Sequence, residues 1–233
     1  MNGSMSEDTG RVIAVLGAES TGKTSLVAAL AEVLRGRGLD VETVPEALRL
    51  FCDRQGRTPH AREQAGLAQE QSAWIDAAAR RHALVLTDTT ALMTAVYSEV
   101  IFGDDSLYPA ALEAHGRSHL TLLMATDLPW VPDGLMRDGP QVRERVDAAL
   151  RAALQRAALP HAVVMGLGDR RVGQALSVID HLLEAPERAA RAARAPRWRW
   201  YCDNCDDGEC EQHWLTRARP DGAGADDVDP GPA

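Results

Sequence analysis

Gly17-Ala-Glu-Ser-Thr-Gly22-Lys23-Thr24 has the form G-x-x-x-x-G-K-[ST], the pattern of a phosphate-binding P-loop. Its flanks decide whether the pattern means anything. Before it runs Val12-Ile-Ala-Val-Leu16, a short apolar run rich in β-branched residues that predicts a buried strand. After it runs Ser25-Leu-Val-Ala-Ala-Leu-Ala-Glu-Val-Leu34, which predicts a helix with Leu26, Ala29, Leu30, Val33 and Leu34 on its inner face. Strand, glycine loop and helix arrive in the order the motif requires.

The chemistry follows from that order. Gly17 and Gly22 admit backbone angles that larger residues resist. The N–H groups of Glu19, Ser20, Thr21, Gly22, Lys23, Thr24 and Ser25 can then converge on phosphate oxygens at a helix N-terminus, where the dipole favours negative charge. Lys23 is expected to reach the β- and γ-phosphates of ATP, and the Thr24 hydroxyl to ligate Mg²⁺. The chain holds 24 arginines and one lysine, Lys23. A compact ammonium is kept where a point charge on phosphate is needed.

The 233 residues are 45% hydrophobic, enough for one ordinary domain and an appendage. A net charge of −9 argues against a general nucleic-acid or membrane-surface role. No 18-residue apolar run occurs, and Met1–Gly10 lacks the apolar segment of a signal peptide, so a cytoplasmic location is expected. Further strands are predicted at 40–44, 83–88, 119–124 and 161–165, and helices at 61–81, 90–102, 107–115, 141–158 and 170–184, with another beginning near Pro45. Alternating strands and helices predict an α/β fold: a five-stranded parallel sheet with helices on both faces. Residues 1–10 read as a disordered N-terminus, 11–184 as the P-loop domain, and 185–197 as an Ala/Arg linker or solvated helix. Residues 198–216 read as a metal knuckle and 217–233 as a disordered tail.

Ligands of such sheets bind at the carboxyl ends of the strands. Asp88 ends an apolar run there, placed to join the Mg²⁺ shell or to take a proton from a substrate hydroxyl. The alternative is a helix cap for the segment that follows. Glu46, at the end of the second strand, is the rival acid, its alternative being a first-turn helix residue. In the loop 125–139, Trp130 is placed to stack on a planar ring, and Arg137, Arg143 and Arg145 to act as lid arginines on transferring phosphate. Alternatively Trp130 plugs the core and the arginines form a solvated face.

The P-loop, Pro45-Glu46-Ala-Leu-Arg49, Thr87-Asp88-Thr89 and Pro129-Trp130-Val-Pro-Asp133-Gly134 occur in this order. Together they resemble the ribosylnicotinamide kinase domain of NadR-type proteins over roughly residues 11–184. The resemblance implies ATP- and Mg²⁺-dependent phosphorylation of the 5′-hydroxyl of nicotinamide riboside. Lys23, Thr24, Glu46 and Asp88 would then serve ATP, metal and substrate, and Trp130, Asp133, Gly134 and Arg137 the substrate loop and lid. Met136 stands before Arg137, and an alanine at 47 replaces the aromatic usual after the acid.

The tail lies outside that resemblance. Cys202, Cys205, Cys210 and His213 form C-x2-C-x4-C-x2-H, a donor set for one closed, tetrahedral, structural Zn²⁺; the alternative is reduced cysteines without metal. A short tail builds no core unaided, so a metal would account for its fold. Five acids between 203 and 211 argue against nucleic acid there. Cys52 reads as a small buried residue. A second functional class therefore stands beside the kinase: a P-loop nucleotide switch that signals to a protein partner through the zinc tail.

Overall fold

The computed structural model describes residues 9–131 and 139–194. Five strands, β1 (Arg11–Leu16), β2 (Val41–Val44), β3 (Leu84–Asp88), β4 (Leu120–Met124) and β5 (Ala162–Val164), form one sheet in the order β2-β3-β1-β4-β5. Every pairing is parallel. The central strand β1 alternates strictly. Ile13 and Val15 pack into a cluster with helices α1 (Lys23–Gly36) and α7 (Gly168–Leu183). Leu16 joins a second cluster on the other face, with α4 (Ala91–Tyr97), α5 (Tyr108–His115) and α6 (Pro140–Arg156). Val12 packs with Ala78 and Ala79 of α3 (Ala61–Ala79). Both sides of β1 are buried, which is why its sequence is continuously apolar. This is the predicted P-loop fold, a parallel sheet covered on both faces.

Several boundaries differ from the sequence reading, each for a local reason. The buried arc of α1 is Leu26, Val27, Leu30, Ala31 and Leu34, so Val27 and Ala31 replace Ala29 and Val33 on the inner face. Helix α2 (Ala47–Gln55) begins two residues after Pro45 and runs to Gly56, whose φ of 66° ends it. The helix predicted over 90–102 is α4 followed by a wider π turn, Ser98–Phe102, closed by Gly103 at φ 71°. β5 stops at Val164 because the Met165 N–H goes to Gln174 Oε1 at 3.0 Å instead of a ladder partner.

The chain divides into two compact units, the second starting at Pro186. The Ala/Arg stretch is helical over Ala185–Arg194 (α8). Among the described residues no helix is long and apolar enough to cross a membrane.

Candidate functional site

The P-loop leaves the carboxyl end of β1 and enters α1. Gly17 has φ 154°, and a Cβ there would sit 2.8 Å from Met124 Cβ. Gly22 is the residue before α1, with φ 78°. Both glycines are therefore required by backbone geometry. No side chain caps α1, and its first turn carries no acid. Its first N–H groups are left as donors without a helical acceptor, the feature an anion would satisfy. The buried Lys23 donates from Nζ to Ala18 O at 2.9 Å, and Thr21 Oγ1 donates to the same carbonyl at 2.7 Å.

Thr24 Oγ1 lies 2.5 Å from Asp88 Oδ2. The motif threonine and the acid at the end of β3 therefore meet, although 64 residues separate them. Asp88 is 4% exposed, and among the described residues its Oδ1 is buried without a partner. An ionised oxygen enclosed that way is costly unless something positive joins it. With a hydroxyl alongside, the donor set fits a hard divalent cation such as Mg²⁺. Asp88 is not a helix cap: that position is Thr90, whose Oγ1 accepts from Leu92 N at 3.3 Å. Thr89, between them, has φ 71°, an outlier for a β-branched residue and the kind of strain that collects at functional sites.

Glu46 precedes α2 with extended backbone, and its side chain makes no capping bond. It is buried, with Oε2 3.9 Å from Arg49 Nε. Glu46, Arg49, Cys52 and Asp53 form one wall of a cleft of about 760 Å³, and the P-loop residues Glu19–Ser25 form the other. Tyr97 lines the cleft too and donates to Glu19 Oε2 at 3.2 Å. Cys52 is buried as expected but also faces this cleft, and burial, followed by the Glu46 carboxylate, pushes its thiol pKa up. Asp53 and Tyr97 escaped the sequence reading. Helical spacing from Glu46 and Arg49 was the available signal for Asp53; Tyr97 had none.

The segment after β4 is stitched to the P-loop. Ser20 Oγ donates to Val131 O at 2.6 Å. Arg171, buried on α7, donates to Thr21 O at 2.6 Å and also to Asp127. Gly166 N–H donates to the other Asp127 oxygen at 2.6 Å. Burial works to raise the Asp127 carboxyl, but that N–H and the Arg171 guanidinium outweigh it and hold it low. Arg143 and Arg145 do not face the cleft. Arg143 is buried with Nη1 on Leu128 O at 2.8 Å, and Arg145 donates to Val100 O at 2.8 Å. Arg143 Nε and Nη2 are enclosed without a partner among the described residues. Trp130 is half-buried, its indole N–H enclosed without a partner among the described residues. Asp133, Gly134 and Arg137 lie outside the described residues, as do Cys202, Cys205, Cys210 and His213.

The profile of an AAA domain family matches residues 12–171, from the start of β1 to the arginine under the P-loop. The chain belongs to this family. The AAA domain so defined contains the whole cleft just described. Two solved structures share its fold. One is a NadR protein in complex with NAD and AMP-PNP, with 21% identity and a TM-score of 0.59, covering 74% of this chain and 49% of that one. The other is a NadR protein in complex with NR, with the same identity, TM-score and coverage of this chain, and 50% of its own length covered. The chain thus spans about half the length of these relatives in fold. No protein with a curated description matches the sequence.

Proposed function

We propose that this AAA domain is a cytoplasmic small-molecule kinase, moving the γ-phosphoryl group of ATP to the hydroxyl of a nucleoside-like acceptor. Nicotinamide riboside, giving nicotinamide mononucleotide, is the first choice. The observation that carries the reading is the Thr24–Asp88 contact beside Lys23, facing a second wall that holds Glu46, Arg49 and Asp53. A nucleotide switch needs the first wall only. A kinase needs a second, able to hold an acceptor, and a cleft of about 760 Å³ lies in the range of small-molecule sites.

Lys23 exchanges the Ala18 carbonyl for phosphate oxygens, and the uncapped N–H groups of α1 take the remainder of the phosphate charge. Thr24 and Asp88 hold Mg²⁺, which when bound neutralises charge on the transferring phosphate. Glu46 or Asp88 accepts the hydroxyl proton as the acceptor attacks. Glu19, Glu46 and Asp53 outnumber Lys23 and Arg49 along the cleft, which suits an acceptor bearing a cationic ring, as a pyridinium nucleoside does. Trp130, Asp133, Gly134 and Arg137 remain the proposed substrate loop. Incubation with Mg-ATP and a panel of nucleosides, read by mass spectrometry, tests this. A monophosphate is expected; tight nucleotide binding with every acceptor inert would favour the switch.

For the tail, a structural Zn²⁺ on Cys202, Cys205, Cys210 and His213 remains the proposal, carried by the ligand spacing. Elemental analysis of protein purified without added metal should give close to one zinc per chain, reduced in Cys205→Ser. A ratio near zero with freely titratable thiols removes the site.

A further inference from the structure

Gln71 sits in the middle of α3, 2% exposed, and uses its whole amide. Its Oε1 accepts from Ala47 N at 2.7 Å. Its Nε2 donates to Pro45 O at 3.2 Å and to Thr87 Oγ1 at 3.3 Å. The Thr87 hydroxyl then donates to Thr89 O at 2.5 Å. One branch of this network grips the backbone on both sides of Glu46. The other spans Asp88, from the Thr87 side chain to the Thr89 carbonyl.

We infer that Gln71 is a positioning residue that sets Glu46 of the cleft wall and Asp88 beside Thr24 against each other, an inference that rests on the kinase reading for the role of Glu46. The first branch holds the backbone on both sides of Glu46: the Ala47 N–H, an orphan donor at the start of α2, has its acceptor in Gln71 Oε1, and the Pro45 carbonyl has its donor in Gln71 Nε2. Glu46, between them, lines the cleft. The second branch explains how Thr89 keeps a φ of 71°. Its carbonyl is held by Thr87 Oγ1 and its N–H by Val15 O at 3.1 Å, so the turn after Asp88 is fixed from both sides. That turn aims the carboxylate at Thr24. A carboxamide suits the post because it donates and accepts at once and carries no charge into the core. Leucine or methionine, the residues α3 would ordinarily place there, can do neither.

Two variants of the full chain separate the branches. Thr87→Val removes one hydroxyl at nearly constant shape and breaks only the Asp88 branch. Gln71→Leu breaks both. Each is assayed for the Mg²⁺ dependence of ADP binding, which needs no acceptor, and for turnover with the nucleoside panel. Both variants should raise the Mg²⁺ concentration at half-saturation about tenfold, as loss of an outer-shell partner does. Only Gln71→Leu should also move the acceptor KM, with kcat lower by about 10²-fold and the ATP KM within about twofold. A purely structural role would lower the melting temperature and leave those parameters unsplit. An unchanged Mg²⁺ requirement in both variants overturns the inference. If the unaltered chain binds Mg-ADP and phosphorylates nothing, the kinase reading falls, and the Mg²⁺ shift in Thr87→Val still decides the Asp88 branch.

Discussion

The two walls of the cleft are built in opposite ways. The phosphate wall is one continuous run, Gly17 to Ser25, whose groups are backbone N–H donors and two side chains adjacent in sequence. The facing wall is assembled from Glu46 before α2, Arg49, Cys52 and Asp53 on α2, and Tyr97 at the end of α4. Phosphate binding needs a local backbone shape, and a short sequence can encode that alone. Holding an acceptor needs side chains at chosen distances from the phosphate, and only tertiary structure supplies those. The first wall can serve many proteins unchanged; the second is where one chain differs from the next.

The sharpest break of that comparison is Lys23→Ala. The lysine serves the phosphate wall alone, so turnover should fall by roughly 10³-fold or more while thermal unfolding stays close to that of the parent. Full turnover in the variant would remove the phosphate assignment. Glu46→Gln and Asp88→Asn come next and should separate the walls. Glu46→Gln is expected to reduce kcat by about 10²-fold with the ATP KM unchanged, whereas Asp88→Asn should raise the Mg²⁺ requirement. Identical kinetic signatures in steady-state assays would show that the walls are not separable.

Arg171→Leu tests what supports the phosphate wall from below. It removes the bonds to Thr21 O and Asp127. Removing a buried guanidinium from a backbone carbonyl and a partly exposed carboxylate should cost about 1–2 kcal/mol of stability and weaken ADP binding, both measurable by denaturant titration with and without nucleotide. A stable variant with parental affinity would detach Arg171 from the site.

The smallest effect concerns neither wall. His115 is buried, its ring nitrogens 3.0 Å from Thr90 Oγ1 and 3.0 Å from Thr121 Oγ1, and burial lowers its pKa from 6.5 to about 4. The folded state therefore holds this ring neutral while the unfolded chain protonates it. The stabilisation is complete above pH 6.5 and is lost as pH falls toward 4, by on the order of 2 kcal/mol. His115→Gln should flatten that part of the stability–pH profile. A profile unchanged by the substitution would assign the acid sensitivity to other groups.

What the sequence disclosed follows the same division. The P-loop, Asp88 and Glu46 were legible because each sits where an apolar run stops, and strand ends gather at one rim of a parallel sheet. The common direction of the strands followed from the alternation of elements; their order came only with the structure. Arg171 and Gln71 were not legible as supports. Each is a polar residue on the inner side of a helix, and from sequence alone such a residue is indistinguishable from one at the edge of the apolar stripe. Its meaning depends on which carbonyl the fold brings opposite it. Arg143 is a third such residue, buried on α6 with Nη1 on Leu128 O.

The placement of β1 at the centre of the sheet also governs how the chain is made. Arg11 pairs with Leu84, and Ile13 with Leu120; nothing nearer in sequence can complete the strand. Pairings this distant are slow to form because loop closure precedes any return. On a ribosome emitting roughly 5–20 residues per second, Lys23 emerges on the order of ten seconds before Arg171. Through that interval Val12–Leu16 is a naked β-forming segment, the kind that seeds aggregation. The single charge of Arg11 at its head is the local guard against that, and an Arg11→Val change should shift newly made protein toward the insoluble fraction before it alters any property of the folded protein.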